Sequence, residues 1–446
     1  MIVIFFTLCM CFERYVSIML DALIIGAIVL SIVLGYKTKI NTGLYSIVFT
    51  YLIGVLAMGI QPSDIIRMWP ITIFFVIFSI SLFYNFAIDN GTLGNLAQHM
   101  LYRTRNAPHM LPIVVFLAST VIASLGAGFF AVMAFFAPIT IMLCKKAGLN
   151  PLLGAIAVNY GALAGNGFII SPGGVVFIGL MEHAGISEMA VRYEMEIFIA
   201  SIVVPIIVLF LLNKVFKRTA VEDTANLEKP KAFTRRQKIT LGLIAALIIT
   251  VLLFPVLSAL MPSVTEFKAM ENMIDVGLVA IVFTVIGLIL KVGTEKSILA
   301  NVPWGTLIMI CGVGMLISLA VKAGTVKMVA SLMTDSLPTM ILPIAITILA
   351  GIMGFFSSTM GVIAPALFPL VPMISSEVHL DPGILFLAII MGAQATVISP
   401  ISSGGSLIVA AVPEQDRNKM FNDLLFKAGP ICLLASVICV AILYII

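Results

Sequence analysis

Hydrophobic residues fill most of this chain in runs long enough to cross a bilayer. A membrane-spanning helix needs about 20 consecutive apolar residues, and polar residues interrupt the sequence at about that spacing. The pattern predicts ten membrane-spanning helices, at 16–35, 43–60, 70–88, 152–181, 197–213, 239–260, 275–291, 303–321, 383–412 and 429–446.

Two further apolar runs, 112–144 and 342–375, are interrupted near their middles by small or polar residues. The interruptions centre on Ser124-Leu125-Gly126-Ala127-Gly128 and on Ser357-Ser358-Thr359. Each arm is then too short to span a bilayer. We therefore predict two re-entrant helical hairpins, whose irregular tips need surrounding protein or a water-filled cavity.

The composition of the chain excludes most soluble classes of protein. Of 446 residues, 61% are hydrophobic and 10% are charged, against roughly 25% charged in soluble domains. These proportions exclude a soluble enzyme and a disordered scaffold. The net charge of +4 is too small to indicate a nucleic-acid partner. The class of protein that remains is a polytopic membrane protein in the lipid bilayer.

The basic residues predict the orientation of the chain in the membrane. When the polar linker 214–238 is placed in the cytoplasm, alternating spans put six of the 25 basic residues outside and the rest inside. This bias follows the positive-inside rule. We expect a multi-pass protein of the cell inner (plasma) membrane, with residues 1–15 as an N-terminal extension and no cleaved signal peptide.

Proline and glycine positions reveal an internal repeat. Leu111-Pro112-Ile113 recurs as Leu342-Pro343-Ile344, and Gly173-Gly174 recurs at the same offset as Gly404-Gly405. Repeat 1 would cover 16–213 and repeat 2 would cover 239–446. Each copy contains five predicted crossings and one hairpin, and an odd number of crossings inverts the second copy. Inverted repeats are typical of secondary transporters.

The predicted helix after each hairpin, 152–181 or 383–412, is broken in its middle. The breaks contain Ser171-Pro172-Gly173-Gly174 and Ser399-Pro400-Ile401-Ser402-Ser403. Freed carbonyl groups at half-helix C-termini can coordinate a cation, and freed amide groups at N-termini can hold a carboxylate. Small residues such as Gly161 and Gly165 are also explained by close helix packing.

The hairpin tips and the breaks supply the candidate site residues. The substrate-binding candidates are Ser124, Gly126, Gly128, Asn166, Ser171, Ser357, Ser358, Thr359, Thr396, Ser399, Ser402 and Ser403. The cation-binding candidates are Gly126, Gly128, Asn166, Gly167, Ser357, Thr359, Thr396 and Pro400.

The predicted spans contain few acidic residues at their centres, with Asp21 the exception by position. Proton-coupled carriers commonly use an intramembrane carboxylate. Its scarcity favours sodium (Na+) held by carbonyl and hydroxyl oxygens as the coupling ion. The four histidines lack the spacing of metal ligands, so we expect no other metal and no cofactor.

At these residues the chain resembles the ion transporter superfamily, in its divalent anion:sodium symporter branch and closest to the malonate/dicarboxylate carrier-like group. The resemblance extends over 16–446. The run from Gly35 to Gly43 resembles the opening loop of that group, Ser124 to Gly128 its first hairpin tip, and Ser399 to Gly405 its last broken helix.

The resemblance implies a dimerising scaffold domain and a transport domain that moves like an elevator. It also implies a Ser-Asn-Thr motif at each hairpin tip that binds sodium and a substrate carboxylate. Ser357-Ser358-Thr359 matches this motif with Ser in place of Asn, whereas the first tip has Gly126-Ala127-Gly128 with Ser124 nearby. The departure at the first tip extends the candidate substrates to smaller dicarboxylates and monocarboxylates.

The sequence therefore predicts an all-α membrane protein with two inverted repeats, each of five transmembrane helices with one re-entrant hairpin and one broken helix. The predicted function is cation-coupled transport of small carboxylates, with sodium as the favoured ion. The alternatives within transport are a sodium-independent exchanger, a proton-coupled carrier and an inorganic-ion antiporter. A channel is disfavoured by the inverted repeat, and an enzyme by the lack of a nucleophile–base or metal constellation.

Overall fold

The computed structural model describes residues 2–102, 110–216, 230–260, 266–267, 270, 273–355 and 357–445. Regular secondary structure in these residues is helical throughout, and we number twenty helices along them. The first ten are α1 (Ile2–Thr38), α2 (Thr42–Leu52), α3 (Pro62–Arg67), α4 (Ile71–Asp89), α5 (Thr92–Tyr102), α6 (Leu111–Ser124), α7 (Phe129–Lys146), α8 (Pro151–Asn166), α9 (Pro172–His183) and α10 (Ala190–Val215).

The second ten show a similar succession of long and short helices. They are α11 (Arg235–Leu260), α12 (Val276–Ile289), α13 (Glu295–Ala300), α14 (Trp304–Ala323), α15 (Thr325–Ser336), α16 (Leu342–Gly354), α17 (Thr359–Val378), α18 (Pro382–Thr396), α19 (Ser403–Ala411) and α20 (Glu414–Ile445). This succession is consistent with the predicted repeat. The repeat itself, the inverted orientation of its two copies and the re-entrant nature of the hairpins remain predictions.

Equivalent residues begin equivalent helices. The side chain of Asn150 accepts a hydrogen bond from the amide of Leu152 at the start of α8, and Asp381 accepts one from Gly383 at the start of α18. Such caps satisfy amide groups that the helix itself leaves unpaired. Gly91 and Gly324 both have positive φ, 70° and 85°, at the turns that lead into α5 and α15.

Six helices among the described residues are long and apolar enough to cross a membrane: α4, α7, α10, α14, α17 and α20. Much of their apolar surface is exposed, as on α10, where Ile199, Ile207 and Leu211 point away from the protein. In water such a surface would be strongly unfavourable. The chain is a multi-pass membrane protein, and the predicted all-α polytopic fold is confirmed.

Several helices differ in extent or regularity from the predicted segments. α1 begins at Ile2 rather than at 16, and α7 and α17, predicted as hairpin arms too short to span a bilayer, are long and apolar enough to cross one. The helix assigned to 197–213 begins at Ala190, which brings Glu194 into α10. The second arm of the predicted hairpin 342–375 is irregular: α17 starts with a π turn and passes through a 3-10 turn at Phe368–Leu370. Pro365, Pro369 and Pro372 lie in or beside these turns, and proline cannot donate the hydrogen bond of a regular helix.

Glycines set the close contact between each broken helix and the hairpin arm beside it. A methyl group on Gly161 of α8 would lie 2.4 Å from the carbonyl oxygen of Phe116, and one on Gly392 of α18 would lie 2.1 Å from that of Thr347. These glycines are equivalent in the repeat, so the same contact recurs between α6 and α8 and between α16 and α18. The interpretation of these glycines as packing residues is consistent with this geometry.

We expect Gly165→Ala to lower the melting temperature of the purified protein. The new methyl group would lie 2.1 Å from the carbonyl oxygen of Thr120 and 2.7 Å from Cβ of Ala123, so α6 and α8 must separate. Overpacking of this kind costs about 1–3 kcal/mol. Gly242→Ala on α11 is the control, because that position has no atom within 4 Å of the added group. Equal melting temperatures for the two variants would contradict the packing assignment.

Candidate functional site

The first break is a tight connection between α8 and α9. The hydroxyl of Ser171 donates to the carbonyl oxygens of Asn166 and Phe168, at 2.5 and 2.7 Å. A methyl group on Gly173 would lie 2.2 Å from the Asn166 carbonyl oxygen. The serine and the glycine therefore allow the end of one half-helix to fold onto the start of the next, and they satisfy the freed carbonyl groups.

The second break, between α18 and α19, is built in a similar way. A methyl group on Gly405 would lie 2.2 Å from the carbonyl oxygen of Ile398. The hydroxyl of Ser399 accepts a bond from the amide of Ile401, and that of Thr396 donates to the Gly351 carbonyl oxygen at 2.7 Å. The hydroxyl of Ser402 differs from its equivalent in the first break, Ser171: it is buried without a hydrogen-bond partner in the described part of the chain.

The two hairpin tips have different chemistry. At the first tip Gly126 has a φ of +91°, and an added methyl group would lie 1.9 Å from the ring of Tyr84 on α4. This glycine is a packing residue. Gly128 starts α7 with no atom within 4 Å of an added methyl group, and Ser124 ends α6, partly exposed.

The second tip is hydroxyl-rich. Ser357 donates to the carbonyl oxygen of Met353 at 2.8 Å, and Ser358 accepts from the amide of Gly361 at 3.2 Å. These two hydroxyls hold the shape of the tip. Thr359 is 5% exposed, and among the described residues its hydroxyl has no partner.

The breaks of one repeat meet elements of the other repeat. The side-chain amide of Asn166 contacts the sulfur of Met360 at 3.1 Å, which joins the first break to the second tip. The hydroxyl of Tyr160 donates to the Ala395 carbonyl oxygen at 2.5 Å, which joins α8 to α18. Along the second break, a methyl group on Gly404 would lie 2.4 Å from Oδ1 of Asn159.

Four buried polar atoms near these junctions lack partners in the residues that the structure describes. They are both amide atoms of Asn159 and the hydroxyls of Thr359 and Ser402. An unsatisfied buried polar group costs about 1–3 kcal/mol, so its presence needs an explanation. Thr359 adjoins Met360, which touches Asn166, and Ser402 lies two residues before Gly404, which touches Asn159. Both hydroxyls therefore lie next to residues that touch the other half of the chain.

The predicted candidates divide by what their side chains do. The hydroxyls of Ser171, Ser357, Ser358 and Ser399 bond to local backbone, and that of Thr396 bonds to the hairpin arm at Gly351. Those of Thr359 and Ser402 are unpartnered within the described chain. Four candidates have no polar side-chain atom and could bind a ligand only through their backbone: Gly126, Gly128, Gly167 and Pro400. The side chain of Ser403 lies outside the described residues.

Sequence reasoning assigned no role to two residues of this region, Asn159 and Glu194. Asn159 lies about two turns before the break. Its proximity to Gly404 is a contact between distant parts of the chain, which local sequence does not reveal. Glu194 falls just outside the apolar window that started at 197. Its carboxylate is completely buried beside Gly167.

The electrostatics of the site come from dipoles rather than from basic side chains. Residues 159–174, 357–361 and 395–405 contain no Lys or Arg. The N-termini of α9 and α19 carry partial positive charge, and the C-termini of α8 and α18 carry partial negative charge. In the described chain no group of three or more His, Cys, Asp or Glu side chains forms a metal-binding cluster.

A cavity of about 250 Å³ lies beside these elements. It is bounded by α4 and α14, which are equivalent in the repeat, and by α9 and α17, which lead away from the first break and the second tip. Pro70, Ile73, Leu180, Ser318, Pro365 and Pro369 are among its lining residues. The cavity therefore follows the two helices that start at the candidate site.

Discontinuous helices with facing half-helix ends are typical of secondary transporters. Comparison with known proteins agrees with this class. Residues 18–166 match the family model of the dicarboxylate carrier protein MatC N-terminus, which ends where α8 ends. The resemblance to a dicarboxylate carrier is confirmed over this first third of the chain.

Solved structures show the same fold over most of the chain. The YdaH transporter of Alcanivorax borkumensis is 16% identical with a TM-score of 0.62, covering 88% of this chain and 87% of its own. Neisseria gonorrhoeae MtrF, from a study of a class of antimetabolite efflux pumps, is 13% identical with a TM-score of 0.57, covering 89% of this chain and 85% of its own. No curated protein sequence matched significantly. The carrier family match and the transporter folds indicate a transporter rather than an enzyme.

The equivalent serines of the two breaks allow a test of the site by stability alone. We expect Ser171→Ala to lower the melting temperature, because two carbonyl groups lose their donor. We expect Ser402→Ala to leave the melting temperature unchanged or higher, because its unpartnered hydroxyl contributes only the cost of burial. A lower melting temperature for Ser402→Ala than for Ser171→Ala would show that Ser402 is structural.

Proposed function

We propose that this protein is a secondary active transporter of small carboxylates, coupled to a cation gradient with sodium as the favoured ion. Dicarboxylates such as malonate or C4 acids are the favoured substrates. The observation that carries the proposal is the set of unpartnered buried polar atoms on Asn159, Thr359 and Ser402. They lie where the broken helices of one repeat meet elements of the other.

The donors available at this junction suit a carboxylate. The hydroxyls of Thr359 and Ser402 and the amide of Asn159 can donate to carboxylate oxygens, and the N-terminus of α19 adds amide groups and a favourable dipole. Hydroxyl, amide-oxygen and carbonyl ligands also suit sodium. The C-terminal carbonyl groups of α8 and α18 supply oxygens of this kind.

A bound cation would compensate for the missing basic side chains. A carboxylate held only by neutral donors gains little in a buried site, whereas an adjacent cation attracts it directly. Cation and substrate then bind more tightly together than separately, which is the thermodynamic basis of coupled transport. An elevator movement of the two breaks and two tips against a dimeric scaffold is the form of alternating access that we propose.

Uptake by proteoliposomes tests this function. We expect labelled malonate or succinate to accumulate in vesicles that contain the full-length protein under an inward sodium gradient. Thr359→Val and Ser402→Ala should each reduce uptake at least tenfold, about 1.4 kcal/mol of binding or transition-state energy. Thr250→Val on α11 is the control, because among the described residues that hydroxyl bonds to the Ala246 carbonyl group of its own helix.

The outcome that contradicts the proposal is clear. If no C3–C6 carboxylate enters the vesicles under any imposed gradient, the protein does not transport this class. If the Thr359 and Ser402 variants transport as well as the Thr250 variant, the site lies elsewhere. Matching melting temperatures for all variants exclude misfolding as the cause of a loss.

A further inference from the structure

A groove of about 450 Å³ lies between α10, α18 and α20, away from the candidate site. Its walls are mostly apolar, and Ile199, Ala200, Val203, Leu387 and Leu443 are among its lining residues. Ile199, Val203 and Leu443 are exposed on the surface of the protein. Since α10 and α20 are membrane-spanning helices, this surface faces the bilayer. The volume is within the range of small-molecule sites, so the groove has room for part of a lipid molecule.

Two of the helices that form the groove, α10 and α18, run in the same direction. Near their starts, the ring of Tyr193 packs against Gly383, where an added methyl group would lie 2.5 Å from a ring carbon. Further along both helices, the hydroxyl of Ser201 hydrogen-bonds to Oε1 of Gln394 at 3.1 Å. The first turns of α10 and α18 therefore lie together at one end of the groove.

Three charged side chains meet at this end of the groove. Glu196 and Asp381 both line it, and Nε of Arg192 pairs with Glu196 at 2.9 Å. Asp381 begins α18, where Oδ1 accepts a bond from the amide of Gly383 at 2.6 Å. Tyr193 interacts electrostatically with all three charged groups, which places them close to one another. Two negative charges and one positive charge thus stand where the apolar walls of the groove begin.

These groups keep hydrogen-bonding capacity beyond the contacts just described. A guanidinium group has five N–H donors, and the pair with Glu196 uses only Nε of Arg192. An ionised carboxylate has about four acceptor positions, so Glu196 and Asp381 can each accept further bonds. The end of the groove therefore offers acceptors for an ammonium group beside donors for a phosphate group.

We propose that this groove binds a phospholipid with an ethanolamine headgroup. An acyl chain lies along the apolar walls, the ammonium group donates hydrogen bonds to Glu196 and Asp381, and the phosphate accepts from Arg192. Charge-assisted hydrogen bonds of this kind are the strong ones. The site is separate from the breaks and tips, so it does not depend on which substrate the protein carries.

The pattern of charges selects ethanolamine over other common headgroups. A primary ammonium has three N–H donors, as in lysine, whereas the quaternary ammonium of phosphatidylcholine has none. Phosphatidylglycerol has no cationic group, so its negative phosphate would meet two carboxylates with a single arginine to offset them. Only the ethanolamine headgroup combines a hydrogen-bonding cation with the phosphate that Arg192 can hold.

Native mass spectrometry of the full-length protein measures this preference. The protein in detergent is mixed with equal amounts of phosphatidylethanolamine, phosphatidylcholine and phosphatidylglycerol that carry the same acyl chains. We expect wild type to retain phosphatidylethanolamine about tenfold better than either other lipid, because hydrogen bonds to charged groups are worth more than neutral ones. The double variant Glu196→Gln with Asp381→Asn should lose the preference, and Asn keeps the cap of α18. The control is Asp64→Asn, whose exposed carboxylate pairs with Arg67 at 3.3 Å and lies outside the groove.

Filling the groove tests the acyl-chain contact separately from the headgroup. Val203 lines the groove and is exposed, so Val203→Trp should occupy the space of the chain and weaken phosphatidylethanolamine binding about tenfold. Leu211→Trp is the control, because Leu211 is exposed on the same helix but is not among the lining residues. Matching melting temperatures for the two tryptophan variants show that any difference in lipid binding comes from the groove.

Several results would overturn the lipid assignment. Equal retention of the three lipids by wild type would remove the headgroup preference, and better retention of phosphatidylglycerol would show that Arg192 alone selects the headgroup. An unchanged preference in the double variant would place the lipid elsewhere. A dimer that dissociates in Val203→Trp but not in Leu211→Trp would show that a second copy of the chain covers this groove. None of these measurements needs a transported substrate, so they fail or succeed independently of the proposed function.

Discussion

The structure depends on one constraint: a backbone interrupted inside an apolar protein must still satisfy its own hydrogen-bonding groups. Two helices stop and restart at residues 166–172 and 396–403, where water cannot freely solvate the freed groups. Ser171 and Ser399, with close-packed glycines such as Gly173 and Gly405, reconnect the two halves within a few residues. Because these local contacts pair the freed backbone groups of the breaks, other polar atoms nearby remain available to a ligand under the proposed function.

The same constraint explains the glycines that line the broken helices. A break is tolerated only if neighbouring helices cover it, and coverage requires close approach. At this contact the glycine lies on the broken helix in the first half of the chain and on the hairpin arm in the second half. Gly165 of α8 faces Ala123 of α6, whereas at the equivalent contact Gly354 of α16 faces Thr396 of α18. The second solution leaves a threonine hydroxyl to bind the hairpin arm at Gly351, so the two breaks share an architecture but differ in chemistry.

The hydrophobic pattern was sufficient to predict the all-α membrane fold, because the length of apolar runs and the positions of proline and glycine act locally. It could not distinguish hydroxyls that hold the backbone from hydroxyls that are free. That distinction between Ser171 and Ser402 depends on which carbonyl oxygens each turn presents, within hydrogen-bond reach, in three dimensions. Glu194 escaped prediction for a related reason: hydropathy windows place it at the edge of a span, although helix packing buries it completely.

The scarcity of charge near the breaks thereby acquires a physical meaning. A protein that transports an anion without basic side chains at the site must obtain positive charge from elsewhere. Helix N-termini supply a fraction of a charge, and a bound cation supplies a whole one. The buried carboxylate of Glu194, beside Gly167, lacks a hydrogen-bond partner among the described residues. Under the proposed function, the bound cation therefore supplies the positive charge that the anion needs. Release of the cation in each half-cycle removes that charge again.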